Sequence, residues 1–356
     1  MTRASKASNV PFRMPAEWEP HAATWLAWPH FKDDWPGKFE PIPWVYAEII
    51  RNLAKHERVE LIVNDAAAES RARKVLDRAN ALSDNVRFHR WPTDRVWTRD
   101  SGCTFVAGKD RSSLSAMHWR FNAWAKYPNY KNDAKLGGLM AQVARAEQVE
   151  PTFGEKRIVL EGGSIDVNGH GTLLTTEECL LSKVQQRNPS MRRKDYEQLF
   201  ANYLGISNFI WLGSGVVGDD THGHVDDITR FVAPDTVVTV VEADTSDPNY
   251  EPLQENIRRL RAASDQHGSE IAIVELPMPA PLIFEGRRLP ASYANFYIAN
   301  GIVLVPVFND PNDRIALDVI ADLFPDREVV GIYSGDLIWG FGAMHCMTQQ
   351  QPAIKS

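Results

Sequence analysis

Five polar clusters recur along the chain at similar intervals, each beside sequence of β-hairpin character. They are Arg99-Asp100-Ser101-Gly102, Glu161-Gly162-Gly163, His224-Val225-Asp226-Asp227, Tyr293-Ala294-Asn295-Phe296 and His345-Cys346. Anchored on Asp100, Glu161, His224, Asn295 and Cys346, the steps are 61, 63, 71 and 51 residues. Four clusters precede a hairpin candidate, and three of these have turns at Asn168-Gly169, Ala233-Pro234-Asp235 and Asn300-Gly301. Asn-Gly suits a two-residue hairpin because both residues tolerate positive φ. Self-similarity of this kind marks a fold built from repeated units. The spacing therefore predicts about five copies of a strand-and-helix unit in an α/β ring, with the polar clusters around one central axis. Chance is the competing reading, since polar residues near strand ends are common.

Strand-like runs rich in β-branched residues cover 59–63, 158–160, 236–241, 271–274, 302–307 and 329–332. Helical patterns alternate with them at 44–56, 66–82, 135–147, 192–204, 253–263 and 314–323. Ser190 is positioned to cap the fourth helix, its hydroxyl oxygen accepting an unpaired backbone N–H. No low-complexity linker or composition break divides the chain, so residues 1–356 are expected to form one domain.

Hydrophobic residues make up 44% and charged residues 24%, proportions that support a globular core. The net charge of −7 argues against nucleic acid or an anionic membrane as partner, since both attract basic surfaces. Three cysteines argue against a disulfide framework and for a reducing compartment. The first residues contain no apolar segment of signal-peptide length, and no apolar run approaches the ~20 residues of a membrane helix. The expectation is a cytoplasmic protein.

Among the cysteines, Cys103 precedes an apolar strand and Cys179 reads as helix packing. Cys346 instead lies among glycine, histidine and amide side chains, in Gly342-Ala343-Met344-His345-Cys346-Met347-Thr348-Gln349-Gln350-Gln351. A thiol of ordinary pKa (~8.5) is mostly protonated at neutral pH and becomes a nucleophile when a cation lowers that value. A histidine or a cationic substrate would serve. The segment from Asp219 to Asp227 holds two histidines and four carboxylates in nine residues. Read as an extended strand, it projects His224 and Asp226 to one side, and a histidine there relays protons near neutrality. Asp219 and Asp220 read as a solvated acidic loop. His222, His224 and Asp226 also fit a zinc site, but later histidine ligands are scarce. Asp100 and Glu161 end apolar runs, where they either cap turns and pair with Arg99 or Arg157, or grip a planar guanidinium through its N–H forks.

Together these segments resemble the agmatine deiminase family, within the guanidine-modifying superfamily and related to bacterial-type peptidylarginine deiminases. The likeness runs nearly end to end, through Met14-Pro15-Ala16-Glu17-Trp18-Glu19-Pro20-His21, Trp97-Thr98-Arg99-Asp100, Glu161-Gly162-Gly163, Gly223-His224-Val225-Asp226, Asn295-Phe296-Tyr297 and His345-Cys346-Met347-Thr348-Gln349-Gln350. It implies a five-bladed pseudo-symmetric α/β propeller with a central active site. It implies Cys346 as nucleophile and His224 as general acid and base. Asp100 and Asp226 would bind the guanidinium, Glu161 would hold substrate and His224, and Trp97 would contact substrate. It further implies a small guanidino substrate, no metal or organic cofactor, and a homo-oligomer. The chain departs from the family at Gly340-Phe341-Gly342-Ala343-Met344, where consecutive glycines are more usual, at His222, and at Ala123-Trp124-Ala125-Lys126-Tyr127, which lacks a glycine. These departures leave the catalytic set intact and bear on recognition of the substrate's tail. Peptidyl-arginine or another guanidine is the alternative substrate, a zinc hydrolase or a non-enzymatic scaffold the alternative class.

Overall fold

A computed structural model describes residues 12–108 and 110–355. It is a mixed α/β fold with five sheets of three or four strands and two small two-stranded ribbons among the described residues. One pattern recurs in all five sheets. An antiparallel pair is followed by a helix and then by a strand parallel to the second strand of the pair. Strands Asp166–Val167 and Thr172–Thr176 form such a pair, helix Arg193–Leu204 crosses over, and Asn208–Leu212 pairs in parallel. The same order holds for Thr229–Ala233, Thr236–Val241, helix Tyr250–Arg261 and Ala272–Pro277. It holds again for Tyr297–Ala299, Ile302–Val307, helix Asn312–Leu323 and Glu328–Tyr333. The sheet of Thr104–Gly108, Leu114–Met117 and Glu147–Val149 adds Phe12–Arg13 at its edge. A parallel neighbour requires a crossover of a dozen or more residues, which the helix supplies.

The fifth sheet joins distant parts of the chain. Gln349–Pro352 pairs antiparallel with His21–Ala27, which continues in parallel to Arg58–Val63 and Val86–Arg90. In every sheet the polar cluster immediately precedes the first strand of the antiparallel pair. The short helical turn Thr98–Ser101 packs on Gly162–Ser164, and that turn packs on Val225–Asp227. Side chains at equivalent places in successive units are thereby brought together.

All three hairpin turns read from the sequence form. Two readings are corrected. Residues 158–160 make no strand, only a single bridge between Val159 and Arg120. The side-chain amide of Asn188 takes the Val159 N–H at 2.9 Å and donates to its carbonyl at 2.7 Å, occupying the groups a neighbouring strand would use. Ser190 does not cap its helix. It adopts a φ of 76°, the helix begins at Arg193, and Asp195 reaches back to accept the Arg192 N–H at 2.9 Å.

Most apolar burial falls in one large cluster that includes Trp25, Trp35, Tyr46, Phe231, Tyr293 and Phe296. A second packs Trp119, Tyr196, Phe200 and Trp211 beside the 166–212 sheet. Each large side chain so buried is worth about 1.5–3 kcal/mol relative to exposure. No helix among the described residues is long and apolar enough to cross a membrane.

Candidate active site

His224 is fully buried among three carboxylates. Its Nδ1 is 3.8 Å from Asp100 Oδ2 and 4.0 Å from Asp226 Oδ1, and its Nε2 is 3.8 Å from Glu161 Oε2. Neither ring nitrogen has a hydrogen-bond partner, nor do Glu161 Oε2 and Asp226 Oδ1. Buried polar atoms are normally paired, so a cluster of unpaired ones marks a place where a ligand completes the bonding. On the other side of Asp226, the Cys346 sulfur lies 3.7 Å from Oδ2. Sulfur and imidazole thus flank one carboxylate.

The backbone holds this arrangement open. Gly163 donates its N–H to Asp100 Oδ1 at 2.9 Å. A methyl group on Gly163 would lie 2.6 Å from His224 Nδ1, 2.9 Å from Asp226 Oδ2 and 3.0 Å from Asp100 Oδ1. Only a glycine lets that strand entry approach all three. Trp124 donates its indole N–H to Asp100 Oδ2 at 2.8 Å from an unusual turn, in which Ala123, Trp124 and Ala125 take φ values of 50°, 58° and 53°.

Charge is distributed unevenly over the site. Burial alone would raise Glu161, but the Arg187 guanidinium, 3.1 Å away and equally buried, holds it down to about 2. Burial pushes Asp100 up from the usual carboxylate range. Asp226 stays below that range despite burial, because His345 Nδ1 lies 2.6 Å from its Oδ2. Burial would lower His224, yet Asp100 and Glu161 hold it well above the ordinary histidine value, which favours the charged ring. Burial and then Asp226, Asp227 and Asp100 push the Cys346 thiol well up. Without a bound cation the thiol stays protonated.

A cavity of about 140 Å³ opens onto Asp100 and Cys346, with Trp97 and Trp124 in its wall. A methyl on Gly342 would lie 2.6 Å from the Trp97 ring and 3.0 Å from Cys346 Cβ, so only a glycine fits between these two cavity-lining residues. Cys346, His224, Asp226, Glu161, Asp100 and Trp97 are therefore all gathered at one place, although Glu161, His224 and Asp226 sit behind the cavity wall rather than in it.

Three local readings change. His224 precedes a 3-10 turn, Val225–Asp227, and is not part of a strand. His222, at φ 66°, turns away; its Nε2 meets Ser182 Oγ at 3.1 Å, so the zinc set of His222, His224 and Asp226 is not assembled. Asp219 and Asp220 are not a solvated loop. Asp219 accepts the N–H groups of Gly223 at 2.7 Å and His224 at 3.0 Å, and Asp220 accepts the Tyr127 hydroxyl at 2.6 Å. Two other donor sets lie close enough to share an ion: Glu161, Cys179 and His224, and Asp226, Asp227 and Cys346. The first already holds the Arg187 guanidinium, which opposes a second cation.

Sequence reasoning did not assign several groups. Asn295 donates to the Cys346 sulfur at 3.1 Å and to Asp227 at 2.9 Å. Glu17 lies 2.8 Å from His345 Nε2 and accepts from Arg99 at 3.0 Å, Arg230 at 2.9 Å and the Ile298 N–H at 2.9 Å. Cys179 packs against His224 and Glu161 as well as within its helix.

The family model for Porphyromonas-type peptidyl-arginine deiminase matches residues 13–352. The chain belongs to this family. An agmatine deiminase of Pseudomonas aeruginosa strain LESB58 is 35% identical over 367 residues, spanning 97% of this chain and 96% of the relative. Agmatine deiminase of Enterococcus faecalis superposes with a TM-score of 0.88 at 29% identity, covering 99% of this chain and 98% of that one. A substrate-bound agmatine deiminase of C. jejuni superposes with a TM-score of 0.85 at 28% identity, covering 96% and 97%. Both solved structures thus share this mixed α/β fold over nearly the whole of each chain.

Proposed function

We propose that the chain is an agmatine deiminase that hydrolyses agmatine to N-carbamoylputrescine and ammonia through a covalent intermediate on Cys346, as a hydrolase of the C–N bond in a linear amidine. The placement of the Cys346 sulfur and the His224 ring on either side of Asp226, 3.7 and 4.0 Å away, carries this reading. Asp100 and Asp226 grip the guanidinium in its plane, a planar cation for which paired carboxylates are suited. Its positive charge offsets the carboxylates that held the thiol protonated, and the thiol releases its proton to solvent. The thiolate bonds to the guanidinium carbon. His224, already a cation, gives its proton to one amino group as the C–N bond breaks and ammonia leaves. An amidino thioether remains on sulfur. Neutral His224 then takes a proton from water as the oxygen bonds to carbon, and the C–S bond breaks to return the thiolate. The ureido product sheds the remaining proton, which ammonia takes up. Orientation between the carboxylates contributes because a held reactant needs no further ordering.

Five repeated sheets with their polar clusters at matching places support a five-bladed pseudo-symmetric propeller around this site. The pairing of Gln349–Pro352 with His21–Ala27 supports a single domain over 1–356. Cytoplasmic residence, read from the low cysteine count, joins the same proposal, and a role in putrescine and polyamine metabolism and a homo-oligomeric assembly carry over from the resemblance.

The family's description favours peptidyl-arginine as the second reading. The test is a panel of agmatine, arginine and a peptidyl-arginine, scored for ureido product and ammonia with the native chain and Cys346→Ala. Agmatine should dominate, and the variant should release no ammonia while remaining folded. Comparable turnover of all three would remove the agmatine assignment, and turnover by the variant would end the covalent route.

A further inference from the structure

Among the described residues, three carboxylate oxygens are buried and unpaired. Two of them, Glu161 Oε2 and Asp226 Oδ1, face His224, and the third is Asp34 Oδ2. Asp34 is 6% exposed and lines the same cavity as Asp100 and Cys346. Its other oxygen is taken by Arg95. The wall between the two ends is aromatic. Trp97, Trp124, Tyr127 and Phe341 line it, and behind it Trp35, adjoining Asp34 in sequence, packs on Trp97 with ring centroids 5.7 Å apart.

Of the other charges at this cavity, Asp33 is exposed to solvent and the rest are already engaged. Arg95 lies over the Tyr127 ring at 4.1 Å besides pairing with Asp34. Arg287 lies over Phe341 at 4.2 Å and 3.6 Å from Asp220 Oδ1. Asp220 accepts from Lys126 and from the Tyr127 hydroxyl. Asp34 therefore presents the cavity's one buried acidic oxygen outside the reaction centre that has no hydrogen-bond partner, in an aromatic setting that also favours cations.

We infer that Asp34 and Trp97 form a second subsite, which receives the cationic tail of the substrate while its guanidinium lies between Asp100 and Asp226. This rests on the deiminase reading and sets its specificity. The preferred substrate carries a cation at each end, and its tail bears no carboxylate, because a carboxylate would meet Asp34.

The experiment compares agmatine with n-butylguanidine, which has the same chain and no terminal amine, and with arginine. The native enzyme should favour agmatine in kcat/KM by about 10- to 100-fold over butylguanidine, the range expected of a charge-assisted hydrogen bond. Asp34→Asn should erase that preference through KM, with little change in kcat and butylguanidine turnover within about twofold of native. An equal loss on both compounds would assign Asp34 a merely structural role and overturn the subsite. Should Asp34→Asn not fold, the native ratio decides, and a ratio near one overturns the inference. Arginine turned over faster than agmatine would overturn it in favour of tail recognition by Arg95 or Arg287. Failure of the native enzyme to release ammonia from any of the three would sink the deiminase reading itself, a result distinct from turnover without selectivity.

Discussion

The side-chain amide of Asn295 donates to the sulfur of Cys346 across 3.1 Å, and its oxygen accepts the His345 N–H at 3.1 Å. One residue thus orients the proposed nucleophile and fixes the backbone that delivers it. A hydrogen bond to a charged group is worth about 1.5–3 kcal/mol. Asn295→Ala should therefore lower kcat by roughly 10- to 100-fold with the fold retained, since each ~1.4 kcal/mol is a factor of ten. Steady-state ureido formation checks this, and an unchanged kcat would contradict it.

Burial and the neighbouring carboxylates hold the Cys346 thiol protonated in the free enzyme. Alkylation of Cys346 by iodoacetamide should accordingly be slow at neutral pH and rise only above the ordinary thiol value of ~8.5. The Cys346→Ala difference isolates its signal from Cys103 and Cys179. Fast alkylation at neutral pH would mean that the free thiol is already activated.

Glu161 is held at about 2 by Arg187, below the carboxylate's usual 4.5. An unfolded chain binds this proton near the usual value, so the ionised group stabilises the fold above it. That contribution is lost as pH falls from about 4.5 towards about 2. Glu161→Gln should be less stable than native at neutral pH, and the gap should shrink in acid. Denaturant unfolding at several pH values measures it; a constant gap would refute the linkage.

A side chain on Gly163 would occupy the space between Asp100, Asp226 and His224. Gly163→Ala should cost about 10²-fold in kcat/KM, the effect of an ångström-scale misplacement. Activity near the native level would show that the guanidinium does not lie against this backbone.

Ala125 sits at φ 53° in the turn that carries Trp124. A left-handed residue with a Cβ costs roughly 1–2 kcal/mol, and glycine avoids this at a smaller entropic cost in the unfolded chain. Ala125→Gly should raise stability by up to about 1 kcal/mol, read as a higher melting temperature. A lower one would show that the turn is held by other contacts.

Much of the site was legible because each unit carries one polar cluster just before its first strand. Asp100, Glu161, His224, Asp226 and Cys346 all stand at such places. The same logic pointed to Asn295 but gave it no task, because its task is a bond to a sulfur 51 residues away. Glu17 and Arg187 were illegible for a related reason. Glu17 meets His345 across 328 residues, and Arg187 meets Glu161 across 26 with no periodicity linking them. Errors arose where side chains take over backbone bonding, as Asn188 does at Val159, or where one positive φ reverses a side chain, as at His222.

Cys346 stands three residues before the strand that pairs with His21–Ala27. During synthesis, that strand leaves the ribosome after every other sheet element described. A nascent chain can thus carry four assembled sheets and three of the acidic groups without a reactive sulfur in place. On the proposed chemistry, the reactive sulfur and the closing strand of the fifth sheet arrive in a single event.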